Sequence, residues 1–268
     1  MRLRGINIHP VKSTAIRPVR EAYVGRAGLA GDREWMIVDG HGELVSAREI
    51  RELFSIVADT PATGGSADLR LSAPGHAAVE VACPTEGVRD ITMFKQVKMR
   101  ARPAGPEVDA WLRRVLDRDD VSLVWCHDPL QRVLKAKNGF SISDHATFQD
   151  DSPVSLITDA SVAAIDSWSP ETITVERFRP SLVVEGAEDA FAEDGWSEVA
   201  IGPVRLRMIT PVSRCVMTTI DPETLEKGKD PLRTLAAHRK RDGKVWAAVH
   251  LVVDNPGEIA VGDEVIVS

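Results

Sequence analysis

The stretch Pro211-Val-Ser-Arg-Cys-Val-Met-Thr-Thr-Ile-Asp-Pro222 places Cys215 directly after Arg214, at the start of a short β-branched run that ends in Asp221-Pro222. A guanidinium beside a thiol favours the thiolate, the form that binds soft metals and attacks electrophiles. Read alone, the same cysteine is equally a small buried hydrophobe. Asp221-Pro222 reads as a turn former rather than an acid catalyst. The other two cysteines, Cys83 and Cys126, make no Cys-x-x-Cys pair with it. Three cysteines form no closed set of disulfides, so a reducing, cytoplasmic compartment is expected. His127, His145, His238 and His250 lack the close spacing of a zinc site and read as surface or satisfied core residues. No nucleophile elbow, phosphate-binding Gly-rich loop or dinucleotide fingerprint occurs.

Short segments rich in Val, Ile and Thr, separated by Gly, Pro and Asp, must position these groups. Val204-Arg-Leu-Arg-Met208 alternates apolar and basic residues, as a half-buried strand does. Trp35–Val38, Val154–Ile157, Leu182–Val184, Val245–Val253 and Glu264–Val267 are further expected strands, and another lies within Val121–Cys126. Two helices are expected. Pro106–Leu116 has Pro in its first turn and an apolar stripe of Val108, Trp111, Leu112, Val115 and Leu116. Thr158–Trp168 repeats the pattern with Val162, Ile165 and Trp168 behind a Thr or Asp cap. Leu232–Arg239 is a third candidate. Residues Arg132–Gln149 read as a polar loop containing Lys135, Lys137, Asn138, Gly139, Ser143 and Asp144.

The chain has 268 residues, enough for one large or two packed domains with a proper core. Its 33 Lys and Arg against 40 Asp and Glu give a net charge of −7, which argues against a nucleic-acid binder while leaving room for a local basic pocket. Neither a signal-peptide core nor an apolar run of membrane-spanning length is present, so no membrane association is expected.

Several blocks recur in a fixed order: His9-Pro-Val-Lys-Ser13, Gly31-Asp-Arg-Glu-Trp35, Ser46-Ala-Arg48, Arg177-Phe-Arg-Pro-Ser-Leu-Val-Val184, Phe191-Ala-Glu-Asp-Gly-Trp196, Ile201-Gly202 and Pro211–Thr224. Together they resemble the MOSC domain family, nearest the branch of amidoxime-reducing components and their bacterial relatives. The resemblance implies a predominantly β fold with flanking helices (α+β). It also implies a MOSC β-barrel-like domain over 121–268 packed on an N-terminal β-rich MOSC domain over 1–120.

It further implies a pyranopterin molybdenum cofactor. Such a ligand needs forked cationic donors on its phosphate, hydroxyls and amides around the pterin, and a soft thiolate for the metal. The matching positions put Lys12, Ser13 and Arg33 at the phosphate end and Ser213 and Arg214 on the pterin. Asp151, Ser152, Arg179 and Ser181 stand at further cofactor positions, and Cys215 stands on molybdenum. Arg179 precedes Pro180, which predicts extended backbone there. Read singly, Lys12 and Arg33 are solvated charges, Arg179 is a salt-bridge partner for Glu176 or Glu185, and Ser213 is a turn residue. The chain departs from the family pattern at Ser181 (Asn in close relatives), at Ala247-Ala248 (Phe-Gly) and at Leu225 (Gly).

The implied activity is reduction of N-hydroxylated compounds, with thiolate-ligated molybdenum taking oxygen from the N–O bond. Electrons would arrive from a separate ferredoxin, cytochrome or flavoprotein, because no iron–sulfur cysteine set exists in the chain. The alternatives are sulfur transfer through a persulfide on Cys215, or carriage of the cofactor to other enzymes. Pyridoxal phosphate enters only as an association of the family, through members joined to a desulfurase.

Overall fold

The computed structural model describes residues 1–135 and 139–268, so Lys137 and Asn138 of the expected polar loop lie outside the described residues. Strands dominate, and three α-helices flank them. In the largest sheet the strands run in the order Val265–Val267, Glu198–Ile201, Val204–Ser213, Lys244–Asn255, Val154–Thr158, Leu182–Glu185, Arg2–Ile8 and Arg17–Val19. Val154–Thr158 and Leu182–Glu185 pair in parallel, while both neighbours of that pair run antiparallel to it. Lys244–Asn255 lies between two long partners, and Ala247 to Val253 are all buried. A strand covered on both faces needs a largely apolar run, which Ala247 to Val253 supply with His250 as the one polar residue.

A second sheet orders Trp35–Val38, Ser122–Trp125, Val97–Pro103 and Arg89–Met93, and two three-stranded sheets complete the molecule. The expected strands all form, most within a residue or two of their predicted limits, while the one predicted over Val204–Met208 continues to Ser213. Strand pairing also exchanges elements across the 120/121 division: Arg2–Ile8 joins the large sheet, and Ser122–Trp125 pairs with Trp35–Val38.

Helix α1 (Pro106–Leu116) buries Val108, Trp111, Leu112 and Leu116 against the N-terminal core and ends at Asp117 in a left-handed conformation. Helix α2 (Asp159–Trp168) is capped by Thr158, whose side chain accepts the Ser161 amide. Its buried stripe is narrower than expected: Ile165 is buried, whereas Trp168 is 36% exposed. Trp168 sits at the last turn and stacks on Phe191 and His238 rather than entering the core. Helix α3 is Leu232–His238. None of the helices among the described residues is long and apolar enough to cross a membrane.

The segment read as a polar loop has no strand or helix among its described residues, yet much of it is buried. Leu134, Phe140 and Ala146 pack on Val252, and Phe148 enters another cluster. Arg132 holds the segment's end by donating to the carbonyls of Thr147, Gln149 and Asp150 at 3.1, 2.5 and 2.5 Å. Polarity there reflects hydrogen bonding to backbone rather than exposure.

Candidate functional site

Parallel pairing sets the starts of Val154–Thr158 and Leu182–Glu185 side by side. Ser181 N donates to Ser155 Oγ at 3.2 Å, and Ser155 N donates to Ser181 Oγ at 3.3 Å. At this sheet end the turn after Arg2–Ile8, the segment around Arg33, residues 150–152, the turn 175–178 and the end of Val204–Ser213 converge. They enclose a cavity of about 250 Å³. All ten residues expected at a site line it: Lys12, Ser13, Arg33, Asp151, Ser152, Arg179, Ser181, Ser213, Arg214 and Cys215.

Three of these residues hold left-handed backbone, with φ of 70° at Ser13, 52° at Arg33 and 50° at Arg179. Such conformations cost about 1–2 kcal/mol each for a side chain with a Cβ, and they cluster where surrounding structure imposes them. For Arg179 this corrects the extended geometry predicted from the following proline. Arg179 closes the 3₁₀ turn Val175–Phe178, its N–H bonding to Glu176 O, and that capping geometry overrides the preference. Arg33 is pinned by donation of its amide to His9 O at 2.7 Å.

The charges are unevenly matched. Lys12 is 5% exposed, which removes the solvated-charge reading. Its ammonium donates to Phe148 O at 2.6 Å and to Asp150, and burial lowers its pKa. Arg48 reaches the other Asp150 oxygen at 3.1 Å. Burial pushes the Asp150 carboxyl up, but Lys12, Arg48 and Arg33 outweigh it and hold Asp150 below the usual carboxylate range. Arg33 pairs with the fully buried Asp32, and Arg177 pairs with Asp221 at 2.9 Å.

Among the described residues, Arg179 and Arg214 have no carboxylate partner. Arg179 donates to Thr14 O at 2.7 Å and lies 4.8 Å from the Phe54 ring centroid, so the salt bridge to Glu176 or Glu185 does not form. Its Nη1 is buried without a partner, as is Nε of Arg214, whose Nη2 donates to Phe178 O at 2.7 Å. Burial, then Arg33, lowers the Arg179 pKa to about 9; burial lowers that of Arg214 to about 10. Two half-buried guanidiniums, each with one buried and unpartnered N–H, form a cradle that an anion would neutralise.

Cys215 is half-buried on the cavity wall, and its carbonyl accepts from Thr218 N and Oγ1 at 3.1 and 3.0 Å. Arg48 also faces its sulfur: burial lowers the Arg48 pKa, but Asp150 and then Cys215 raise it to a net increase. Arg48, Asp150, Phe94, Arg177, Met217 and His250 line the same cavity without having been singled out. Arg48 and Arg177 lay inside the ordered blocks. His250 is buried and its Nδ1 is hydrogen-bonded to Ser152, in keeping with the reading as a satisfied core residue, and strand pairing also places it on the cavity wall. Ser213 ends its strand, exposed at the cavity, rather than forming a turn. Asp221 does form one, accepting from Glu223 N and Thr224 N at 2.9 Å each.

Residues 143–266 match the family model of the MOSC domain, and residues 1–119 match that of the MOSC N-terminal beta barrel domain. Among curated relatives, mitochondrial amidoxime-reducing component 1 of Danio rerio is 33% identical over 88% of this chain and 74% of its own. The Homo sapiens component 1 is 29% identical over 96% of this chain and 80% of its own. The Rattus norvegicus component 2 is also 29% identical, again over 96% of this chain and 80% of its own.

Proposed function

The chain belongs to the MOSC family, and from that premise and the cavity we propose a molybdenum-cofactor-dependent reductase of N-hydroxylated compounds. The observation that carries the reading is the pair of half-buried arginines, Arg179 and Arg214, each with a buried unpartnered N–H and no carboxylate among the described residues, in one cavity with the Cys215 sulfur. The donor set fits a phosphorylated pterin bearing a soft metal. Arg33, Arg179 and Arg214 offer forked donors to phosphate oxygens. Ser13, Ser152, Ser181 and Ser213 offer hydroxyls, and Cys215 offers the thiolate. Among the described residues no three His, Cys, Asp or Glu side chains converge on a metal position, so Cys215 would be the metal's one protein ligand from that set.

When bound, the cofactor supplies two-electron chemistry able to take an oxygen atom from an N–O bond. The protein's own residues bind and orient. Lys12 and Arg48, both on Asp150, keep that carboxylate ionised and fixed in the cavity that Cys215 also lines. Phe94, with Lys12 and Arg48 against its ring, gives the mouth an apolar wall for a substrate substituent. Electrons come, in this proposal, from a separate redox protein.

The test uses protein from a cofactor-competent host, with reduced viologen as electron source and a simple amidoxime as substrate. Conversion to the amidine by the wild type and none by Cys215→Ala is expected. Cyanolysable sulfur on Cys215 without molybdenum would overturn this in favour of sulfur transfer. Bound, exchangeable cofactor without turnover would overturn it in favour of a carrier.

A further inference from the structure

His250 stands on the central strand Lys244–Asn255, opposite Ser155 on one side and Thr210 on the other, and is 8% exposed on the cavity wall. Its Nδ1 lies 2.6 Å from Ser152 Oγ. The same Oγ lies 2.8 Å from Val154 O, a carbonyl that only accepts. Ser152 has one proton, and Val154 O takes it. The short contact to His250 therefore requires the imidazole to donate, which fixes the proton on Nδ1. Nε2 is left with its lone pair, 3.9 Å from Asp151 Oδ2, too far for a hydrogen bond.

The charged groups facing this ring are Asp151 and Asp150 from the preceding segment and Arg214 from the end of Val204–Ser213. Burial disfavours an imidazolium here, Asp151 favours it, Arg214 opposes it and Asp150 favours it; the net pKa falls to about 4. Near neutral pH the ring is thus uncharged, with a hydrogen-bond acceptor pointed at a cavity whose other strong groups are mostly cationic donors. An anion in that cavity reverses the balance, because an oxyanion prefers a donor and favours the charged ring.

We propose that binding a phosphate-like anion in this cavity takes up one proton from solvent at His250, whose imidazolium Nε2–H then donates to the anion. Ser152 makes the uptake possible without reorganisation, since Nδ1–H already points to its oxygen in both charge states. Anion affinity then rises as pH falls, by linkage. This inference rests on the anion-binding reading of the cavity given above.

Sulfate is the probe, because it carries no titrating proton of its own near neutrality. Calorimetric titration in buffers of different ionisation enthalpy counts the protons taken up. Sulfate should bind roughly ten-fold or more tighter at about pH 5.5 than at about pH 7.5, with uptake approaching one proton per chain. In His250→Gln the pH dependence and the uptake should disappear. On the wild type, the ring nitrogen shifts of His250 should show the Nδ1–H form without sulfate and both nitrogens protonated with it. Sulfate binding of equal strength at both pH values, with no proton uptake, overturns this inference alone. No sulfate binding at either pH overturns it together with the anion-cavity reading.

Discussion

At the scale of single residues, the site combines a cationic excess with one thiol. Arg179 illustrates the balance: its guanidinium gains a carbonyl and an aromatic face but no counter-charge. Such a group is costly in the empty cavity and repaid when an anion arrives. Losing a charge-assisted hydrogen bond costs about 1.5–3 kcal/mol. Arg179→Ala should therefore weaken sulfate or pyrophosphate binding by roughly ten- to a hundred-fold, and Arg179→Lys should restore only part of it, since the planar fork is lost. Equal affinity in wild type and Arg179→Ala, measured by calorimetry, would remove Arg179 from the anion shell. Cys215→Ser should abolish amidoxime turnover while leaving the thermal midpoint within a few degrees, because the half-buried sulfur makes no hydrogen bond that holds the fold. A large loss of stability would return Cys215 to the role of a packed core thiol.

At the scale of elements, glycines and turns fix where the site segments lie. Gly28 has φ of 104°, and a Cβ there would sit 2.5 Å from Pro153 O, directly after Asp151 and Ser152. Gly28→Ala should cost about 2–4 kcal/mol in urea unfolding and weaken anion binding as residues 151–153 shift. Gly75→Ala, at φ of 77° with nothing within 4 Å, should cost only about 1 kcal/mol. Equal costs would show that the contact with Pro153 yields freely. Elements with a clear period were legible in the sequence: α1 forms at its predicted limits, and Val204–Met208 alternates as read. Leu225 and Ala248, read as departures from family glycines, both sit at positive φ, 61° and 69°, so the family's glycine marks a backbone requirement this chain meets with strain. Arg132–Gln149 was less legible, because its burial depends on carbonyls that a residue type does not announce. The roles of His250 and Asp150 are not legible for a related reason: they come from partners 98 and 138 residues away in the chain, Ser152 and Lys12 respectively.

At the scale of the whole molecule, the two family-matched portions are tied through buried polar groups near the site. His9 and Asp32 are both fully buried, joined through the His9 amide at 2.8 Å and its ring at 3.1 Å. Asp32 holds Arg33, whose Nη2 reaches Arg179 O at 3.4 Å. Burial, with Arg33 and Arg179, lowers the His9 pKa from 6.5 to about 3 despite Asp32. A folded-state pKa below the unfolded value means that the unfolded chain binds the proton first. Stability is therefore full above about pH 6.5 and declines as pH falls toward about 3, with a slope near 1.4 kcal/mol per pH unit. Burial raises the Asp32 carboxyl, but Arg33 and His9 hold it at about 2, so its contribution persists until more acid conditions. His9 should thus remove about 2 kcal/mol of unfolding free energy between pH 7 and pH 5, and His250, lowered to about 4, a similar amount, so urea denaturation of His250→Gln reads the His9 share alone. A flat profile in His250→Gln over that range would mean that His9 is protonated in the fold.

The central claim is that Cys215 is the protein's ligand to a cofactor-borne molybdenum in this cavity, and metal-edge X-ray absorption on freshly purified protein tests it most directly. The account predicts bound molybdenum in the wild type and one fewer sulfur neighbour around the metal in Cys215→Ser. An unchanged sulfur shell in Cys215→Ser at full molybdenum occupancy would contradict it.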